Sequence, residues 1–451
     1  MIDALIVAGF LAACLWLGAR AKPEEGAEGW ILAGRTLTLP LFVSSLVPTF
    51  YGGVLGVGEF TWSSGLSNWT VMALPYYFFA ALYAAFLAGK VRLAPGLTIP
   101  DHLLAAYGRP TALLGALLVF ILASPADELL MAGSLLGHLT GIPEYAASAA
   151  AGALALALIW RGGLRSDASA NRLQFAFMFG GFALILPFAW HAVGDPAAMA
   201  AKLPPGWLTW TGGLSPMKLA GWWFIAVWTI VDPSFHQRCA AAESPAVARK
   251  GILISIGFWA LFDLMTTTAG LYARAAMPAL GDPTLAFPAL ADAVLPPVAR
   301  GLFFAGISAS LFAALQGTAL LAAACLGQGR LRAGLCAAMA LSYALSRLVP
   351  SVVGLWYAVG SATIPGLLLP MLGAYSPRLR VPGPWAFASS LAGWLVSLAW
   401  VVAARRLGAA PYGIEPMFPG LAAAALLWAA GYASSARTAH AAPRRTPHAP
   451  Q

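Results

Sequence analysis

Apolar stretches of about 17 to 25 residues recur along this chain, separated by short polar segments, and that is the length a helix needs to cross a hydrocarbon core of about 30 Å. Thirteen spanning helices are predicted, at 2–19, 39–63, 71–88, 111–138, 145–160, 173–192, 219–231, 252–276, 301–326, 331–348, 352–374, 385–404 and 418–433. With 60% hydrophobic and 10% charged residues in 451, nothing is left over for a soluble domain. One transmembrane domain over 1–435 is expected, followed by a disordered cytoplasmic tail at 436–451 that is rich in Pro, Ala and Arg.

Leu11-Ala12-Ala13-Cys14 spells a lipobox, but no Lys or Arg precedes it and apolar residues continue past Cys14, so the first span is expected to be a retained helix. Cys14, Cys239, Cys325 and Cys336 have no metal-ligand spacing and predict neither a disulfide framework nor a zinc site. Placing the N-terminus outside and the C-terminus in the cytoplasm puts 19 of the 26 Lys and Arg on the cytoplasmic side and 7 outside. The net charge of +9 is then topological, spread over span ends of a bacterial-type inner (plasma) membrane protein and not gathered into a nucleic-acid surface.

Two spans break the pattern. In the second, Gly52, Gly53, Gly56 and Gly58 fall within seven residues, and each costs a helix about 1 kcal/mol against alanine. The seventh is bounded by Pro216 and by Asp232-Pro233 and barely reaches across. Setting aside the first span, these are first and sixth of those that follow, corresponding places in two halves of five, over about 39–192 and 217–374. Secondary transporters built from inverted repeats use paired discontinuous helices in this way, with freed carbonyls and helix ends facing ion and substrate. The alternative is that the glycines serve close helix packing.

Several stretches resemble the sodium/solute symporter family: Gly52-Gly53-Val54-Leu55-Gly56 leading to Gly65, Gly162-Gly163-Leu164-Arg165-Ser166 followed by Leu173-Gln174-Phe175, Asp232-Pro233 followed by Gln237-Arg238, and Ala313-Ala314-Leu315 before Gly317-Thr318. The resemblance implies an all-α membrane protein of thirteen helices, with a five-plus-five inverted-repeat (LeuT-like) core between an N-terminal extra helix and two C-terminal helices at 385–433. It implies a sodium ion held by the carbonyls of Ser44, Val47 and Ala314 and by side chains at Gly317 and Thr318. Glycine at 317 removes a hydroxyl the family usually supplies, for which a water or the Ser45 hydroxyl is a substitute. Ala170-Asn171 stands where the family usually has Thr-Asp. Asp167 lies four residues before Asn171, either compensating or forming a solvated pair with Arg165.

Acidic residues inside apolar spans cost roughly 2.5 to 3.5 kcal/mol on insertion scales and must face protein or water. Asp127 and Glu128 follow Pro125 in the fourth span; they are read as a cation, proton or amine site, against a place at the outer funnel or a basic partner. Asp263, beside Thr266, Thr267 and Thr268, is read first as a hydrogen-bonded structural carboxylate and second as a proton relay. Glu59 is a candidate for the outer gate or substrate, or an ordinary helix-end residue. Asp232 and Arg238, with His236, would form an inner gate if Pro233 breaks the helix between them, or else a surface ion pair. Tyr51 is the preferred aromatic substrate contact, with Phe50, Trp222, Trp223 and Trp228 as others, and His138 and His191 are expected to be ordinary span-end residues.

The expected function is secondary active transport, sodium-coupled symport of a small organic solute by alternating access, with no enzyme activity and no cofactor beyond the coupling ion. The solute is expected near Tyr51, Gly52, Gly53, Glu59, Asp127, Glu128 and Trp228, and the acidic pair favours an amine or zwitterion over an anion. The alternatives are proton-coupled or uncoupled transport with a degenerate sodium site, a channel, a transporter-like sensor, or a membrane enzyme. The chain carries no repeated filter, output domain or convergent catalytic set that those last three would need.

Overall fold

The computed structural model describes residues 2–21, 26–326, 331–348 and 351–441. Each predicted span is found as helix: α1 (Ile2–Arg20), α2 (Leu39–Ser64), α3 (Trp69–Phe86), α4 (Arg109–Thr140), α5 (Glu144–Ile159), α6 (Gly163–Val193) and α7 (Pro216–Ile225 and Trp228–Val231). The rest are α8 (Pro245–Ala276), α9 (Pro297–Leu326), α10 (Leu331–Ser346), α11 (Val352–Tyr375), α12 (Gly383–Leu407) and α13 (Met417–Ala441). Among the described residues 10 helices are long and apolar enough to cross a membrane; α5 and α10 are shorter and α7 is split. Backbone pairing of strand type is confined, among the described residues, to one isolated bridge between Leu37 and Ala242.

Several helices start a few residues before the expected point, α8 at Pro245 among them, and three differences are larger. α6 begins at Gly163 and not near Leu173, because the polar run Asp167 to Asn171 is buried inside the protein and pairs there, where helix satisfies its backbone. α13 runs on to Ala441, through the first residues assigned to the tail; the tail beyond it lies outside the described residues. A short apolar helix, Ala286–Val294, forms part of the connection from α8 to α9, packs on α8, and was not among the expected spans.

α9 is the most enclosed of the long helices. It packs most extensively on α6, with α1 against both, while α2 lies across α6, α8 and α9, and α11 packs on one side against α12 and α13, which lie at the periphery. Small residues make these approaches possible in lipid, where packing replaces hydrophobic driving force. At Gly52 an added Cβ would stand 1.9 Å from the Ala314 Cβ on α9, and at Gly53 one would stand 2.2 Å from Cζ2 of Trp356 on α11. The glycine run of α2 is therefore a packing surface as well as a discontinuity: the chain makes one tight turn of 3-10 helix at Tyr51–Gly53 and continues.

α7 is short and ends at Asp232-Pro233, as expected, and it is split once more between Ile225 and Trp228. Asp232 is extended (φ −64°, ψ 116°) and caps the following helix Pro233–Ala241, accepting hydrogen bonds from the Ser234 and Phe235 amides at 2.6 and 3.2 Å. A third interruption was not expected. α4 stops at Leu122 and restarts at Ala126, because Pro125 has no N–H to give and its ring crowds the carbonyl one turn back. The Ser124 hydroxyl in that gap bonds to Ser342 of α10 at 2.7 Å.

Candidate functional site

The three interruptions meet around one cavity of about 170 Å³. The turn of α2 brings Tyr51, Gly52 and Gly53; the restart of α4 brings Asp127 and Glu128; α7 brings Trp228 and Asp232. α8, α9 and α11 close the walls with Asp263, Thr318 and Trp356. Of the seven residues expected around a solute, all but Glu59 line it. Glu59 sits further along α2, where it accepts a hydrogen bond from the Ser351 hydroxyl at 2.8 Å and lies 3.5 Å from that of Thr284. That ties α2 to the start of α11, the helix-end role.

The acidic groups differ in what already holds them. Asp127 Oδ2 accepts the indole N–H of Trp356 at 2.7 Å. Glu128, beside it in the first turn of the restarted helix, is buried within side-chain hydrogen-bonding reach of Asp127, and among the described residues its Oε2 has no donor. The Asp263 carboxylate accepts the Tyr51 hydroxyl at 2.5 Å and that of Tyr77 on its other oxygen, with Thr266 bonded to Tyr51 at 2.9 Å. Two phenols thus cradle Asp263, the arrangement of a hydrogen-bonded carboxylate, and it faces the cavity as well.

The expected inner pair of Asp232 with Arg238 is not formed. Asp232 spends its Oδ1 on capping Pro233–Ala241, with the Ser234 hydroxyl at 2.5 Å, so the guanidinium turns elsewhere. Arg238 Nη2 donates to Asp167 at 2.9 Å and to the Thr49 hydroxyl at 3.0 Å, and Nη1 donates to Gln237 at 2.7 Å. Both members of the Arg238–Asp167 pair are 0% exposed. Asp167 is thus no solvated partner of Arg165: it is the counter-charge that lets a guanidinium sit inside the bundle. Asn171 also donates to the same Asp167 oxygen, at 3.1 Å, and to the Ser45 hydroxyl at 3.3 Å. His236 bonds to the Ile230 carbonyl and Tyr375, and His138 to Asp292 at 2.6 Å; His191 is exposed.

Of the residues expected at a sodium ion, Thr318 alone lines the cavity. Its hydroxyl donates to the Ala314 carbonyl at 2.8 Å. The Val47 carbonyl accepts the Tyr51 amide and, at 3.4 Å, the Trp259 indole, and the Ser44 hydroxyl bonds to Leu41. Beside Gly317, the room a side chain would take is bordered by Arg238, whose Nη2 stands 3.0 Å from where a Cβ would be. Residues that sequence reasoning missed are Trp356, Tyr76, Tyr77 and the role of Asp167. The pair Tyr76-Tyr77 after Pro75 was the available signal for two of them.

A family model described as "Sodium:solute symporter family" matches residues 30–328. A sequence search of curated proteins finds no match. In shape the chain is similar to a Na+-coupled sialic acid symporter in a substrate-bound outward-open state, with TM-score 0.74 and 16% identity, covering 97% of this chain and 98% of that one. It is also similar to Mhp1, a nucleobase-cation-symport-1 family transporter, closed with bromovinylhydantoin bound (TM-score 0.55, 13% identity, 93% and 94% covered). The inward-facing form of Mhp1 gives TM-score 0.58 at 15% identity, with 88% and 91% covered. These likenesses establish a LeuT-like fold.

Proposed function

The chain belongs to the sodium:solute symporter family and is a secondary active transporter, and we propose that it carries a small organic solute through the cavity in symport with sodium. The observation that supports this reading most is the meeting of three interrupted helices at one mid-chain cavity. Interrupted helices inside a membrane are tolerated where the freed groups are buried in protein or line a cavity, and paired interruptions at one cavity are how inverted-repeat transporters build their binding sites.

In this reading the solute lies among Tyr51, Gly52, Gly53, Asp127, Glu128 and Trp228, and sodium lies at Thr318 and the Ala314 carbonyl. The Val47 carbonyl would join them when α2 turns away from Trp259 at its 3-10 turn. Arg238 and Asp167 form the gate, drawing the helix Pro233–Ala241 onto α6 and, through Thr49, onto α2. The distribution of Lys and Arg supports a cytoplasmic position for that side, and the membership of a transporter family is consistent with the plasma membrane. A second reading, coupling to protons, draws on Gly317, where a hydroxyl is missing and Arg238 borders the space.

Thermal stability in sodium chloride against matched potassium chloride tests the first reading, because an ion that binds the folded state raises its stability by mass action. An upward shift that saturates with sodium is expected. Identical melting curves from millimolar to molar salt would overturn sodium coupling.

A further inference from the structure

We infer that the solute is an organic cation, carried by an ammonium centre that Glu128 and Asp127 receive and that the cavity's aromatic rings enclose. The inference deepens the symport reading and rests on it for the position of the cavity. Four carboxyl groups line that space, Asp127, Glu128, Asp232 and Asp263, and among the described residues no Lys, Arg or His does. The guanidinium nearest in sequence, Arg238, is outside the lining and already faces Asp167 at 2.9 Å. Whatever enters the cavity therefore meets acidic groups and no fixed cation, a lining that disfavours an anion and favours a cation.

The four groups are not equivalent, and their differences locate the charge centre. Asp263 is held on both oxygens by Tyr51 and Tyr77, and Asp232 is held by the amides it caps. Asp127 accepts the Trp356 indole N–H and lies within side-chain hydrogen-bonding reach of Glu128. Glu128 is 6% exposed and, among the described residues, none donates a hydrogen bond to its Oε2, an arrangement that is costly for a buried carboxylate and that a donor from outside would relieve. An ammonium group carries N–H donors or polarised C–H groups together with the missing positive charge, and a neutral or anionic solute does not supply both.

The remaining wall fits the same ligand. Phe50, Tyr51, Tyr76, Trp228 and Trp356 line the cavity, and ring faces attract a cation through their quadrupole, most strongly when water is excluded. Trp356 serves both ends of the arrangement, since its N–H fixes Asp127 while its ring packs against Gly53. Gly53 and Gly56 have no side chain where they face that indole, so the ring is set against the backbone of α2 and held in place.

The test uses the purified full-length protein in sodium chloride and reads intrinsic tryptophan fluorescence, to which Trp228 and Trp356 contribute, together with melting temperature. Choline and butylammonium are the cationic probes. Their controls are the uncharged isostere of choline, in which a quaternary carbon replaces the nitrogen, and butyrate. Both cations are expected to bind, and the isostere and butyrate to bind at least about tenfold more weakly. Glu128→Gln should weaken the cations on the order of 30-fold, the lower end of what loss of a buried charge partner costs, and leave the uncharged isostere unchanged. Glu128→Asp should recover part of that loss, and Asp127→Asn gives an independent variant should Glu128→Gln fold poorly.

Equal or tighter binding of butyrate or of the isostere would overturn the inference, as would unaltered cation affinity in both Glu128→Gln and Asp127→Asn. Failure of either cation to bind at about 100 mM would overturn it too. Cation binding that is indifferent to sodium would support the inference while sinking symport. Sodium-dependent stabilisation with preference for butyrate would do the reverse.

Discussion

Removing the guanidinium of Arg238 should disturb the protein more than removing that guanidinium and its carboxylate partner together. Arg238 and Asp167 are 0% exposed and their atoms stand 2.9 Å apart. At an effective dielectric constant of about 20, two unit charges at that separation attract by about 6 kcal/mol, most of which offsets the cost of taking both out of water. Arg238→Gln or Asp167→Asn alone leaves the other charge buried without compensation, a loss of about 3 to 5 kcal/mol for the arrangement that encloses it. Asp167→Asn/Arg238→Gln removes both desolvation costs and should return to within about tenfold of the parent's closed equilibrium, a deficit near 1.4 kcal/mol.

Cys239 makes the effect measurable. It follows Arg238 in the helix Pro233–Ala241 and is fully buried beside Tyr83 of α3, so maleimide reaches it only when that helix lifts out of the bundle, the motion that the Arg238 contacts to α6 and α2 oppose. A loss of 3 to 5 kcal/mol corresponds to about 10²- to 10³-fold more of the open form, and Cys239 labelling should accelerate by that factor in either single variant. Cys336 is exposed and provides an internal standard when labelling is read site by site by mass spectrometry. Asp232→Asn is the contrasting variant. Asparagine caps a helix about as well as aspartate, and Asp232 does not bond to Arg238, so Cys239 should stay protected. Slow labelling in both single variants, or a double variant as open as the singles, would refute the role given to the buried pair.

Two further outcomes follow from contacts already described. Thr318→Ala should raise the sodium concentration for half-maximal stabilisation by about tenfold or more, read in the same melting assay, with little change in the sodium-free melting temperature. Gly52→Ala should destabilise the protein by about 1 to 3 kcal/mol, because its Cβ would stand 1.9 Å from that of Ala314. Ala314→Gly in the same chain should restore part of that loss in chemical denaturation; if it restores nothing, the close approach of α2 to α9 is not what Gly52 serves.

How much of this was legible in the sequence follows from what lipid tolerates. A long apolar run announces a helix because no other conformation satisfies its backbone there, so the spans could be read one at a time, as could the breaks of α2 and α7 from their glycines and Asp232-Pro233. The break in α4 rested on Ser124-Pro125 alone and was read only as a site of unusual charge. An acidic residue within such a run must turn inward, so Asp127, Glu128 and Asp263 could each be assigned to the interior from sequence, and the breaks of α2, α4 and α7 meet in front of the unbroken α8 at one cavity. Partners were another matter. Asp167 meets Arg238 across 71 residues, and Asp127 meets Trp356 across 229, because of how α6, α4 and α11 rotate about their own axes. A rotation of one residue, about 100°, exchanges one partner for another without altering any apolar run. Proximity in sequence therefore favoured Asp232 for Arg238, and the capping amides of Ser234 and Phe235, which lie closer still to Asp232, decided against it.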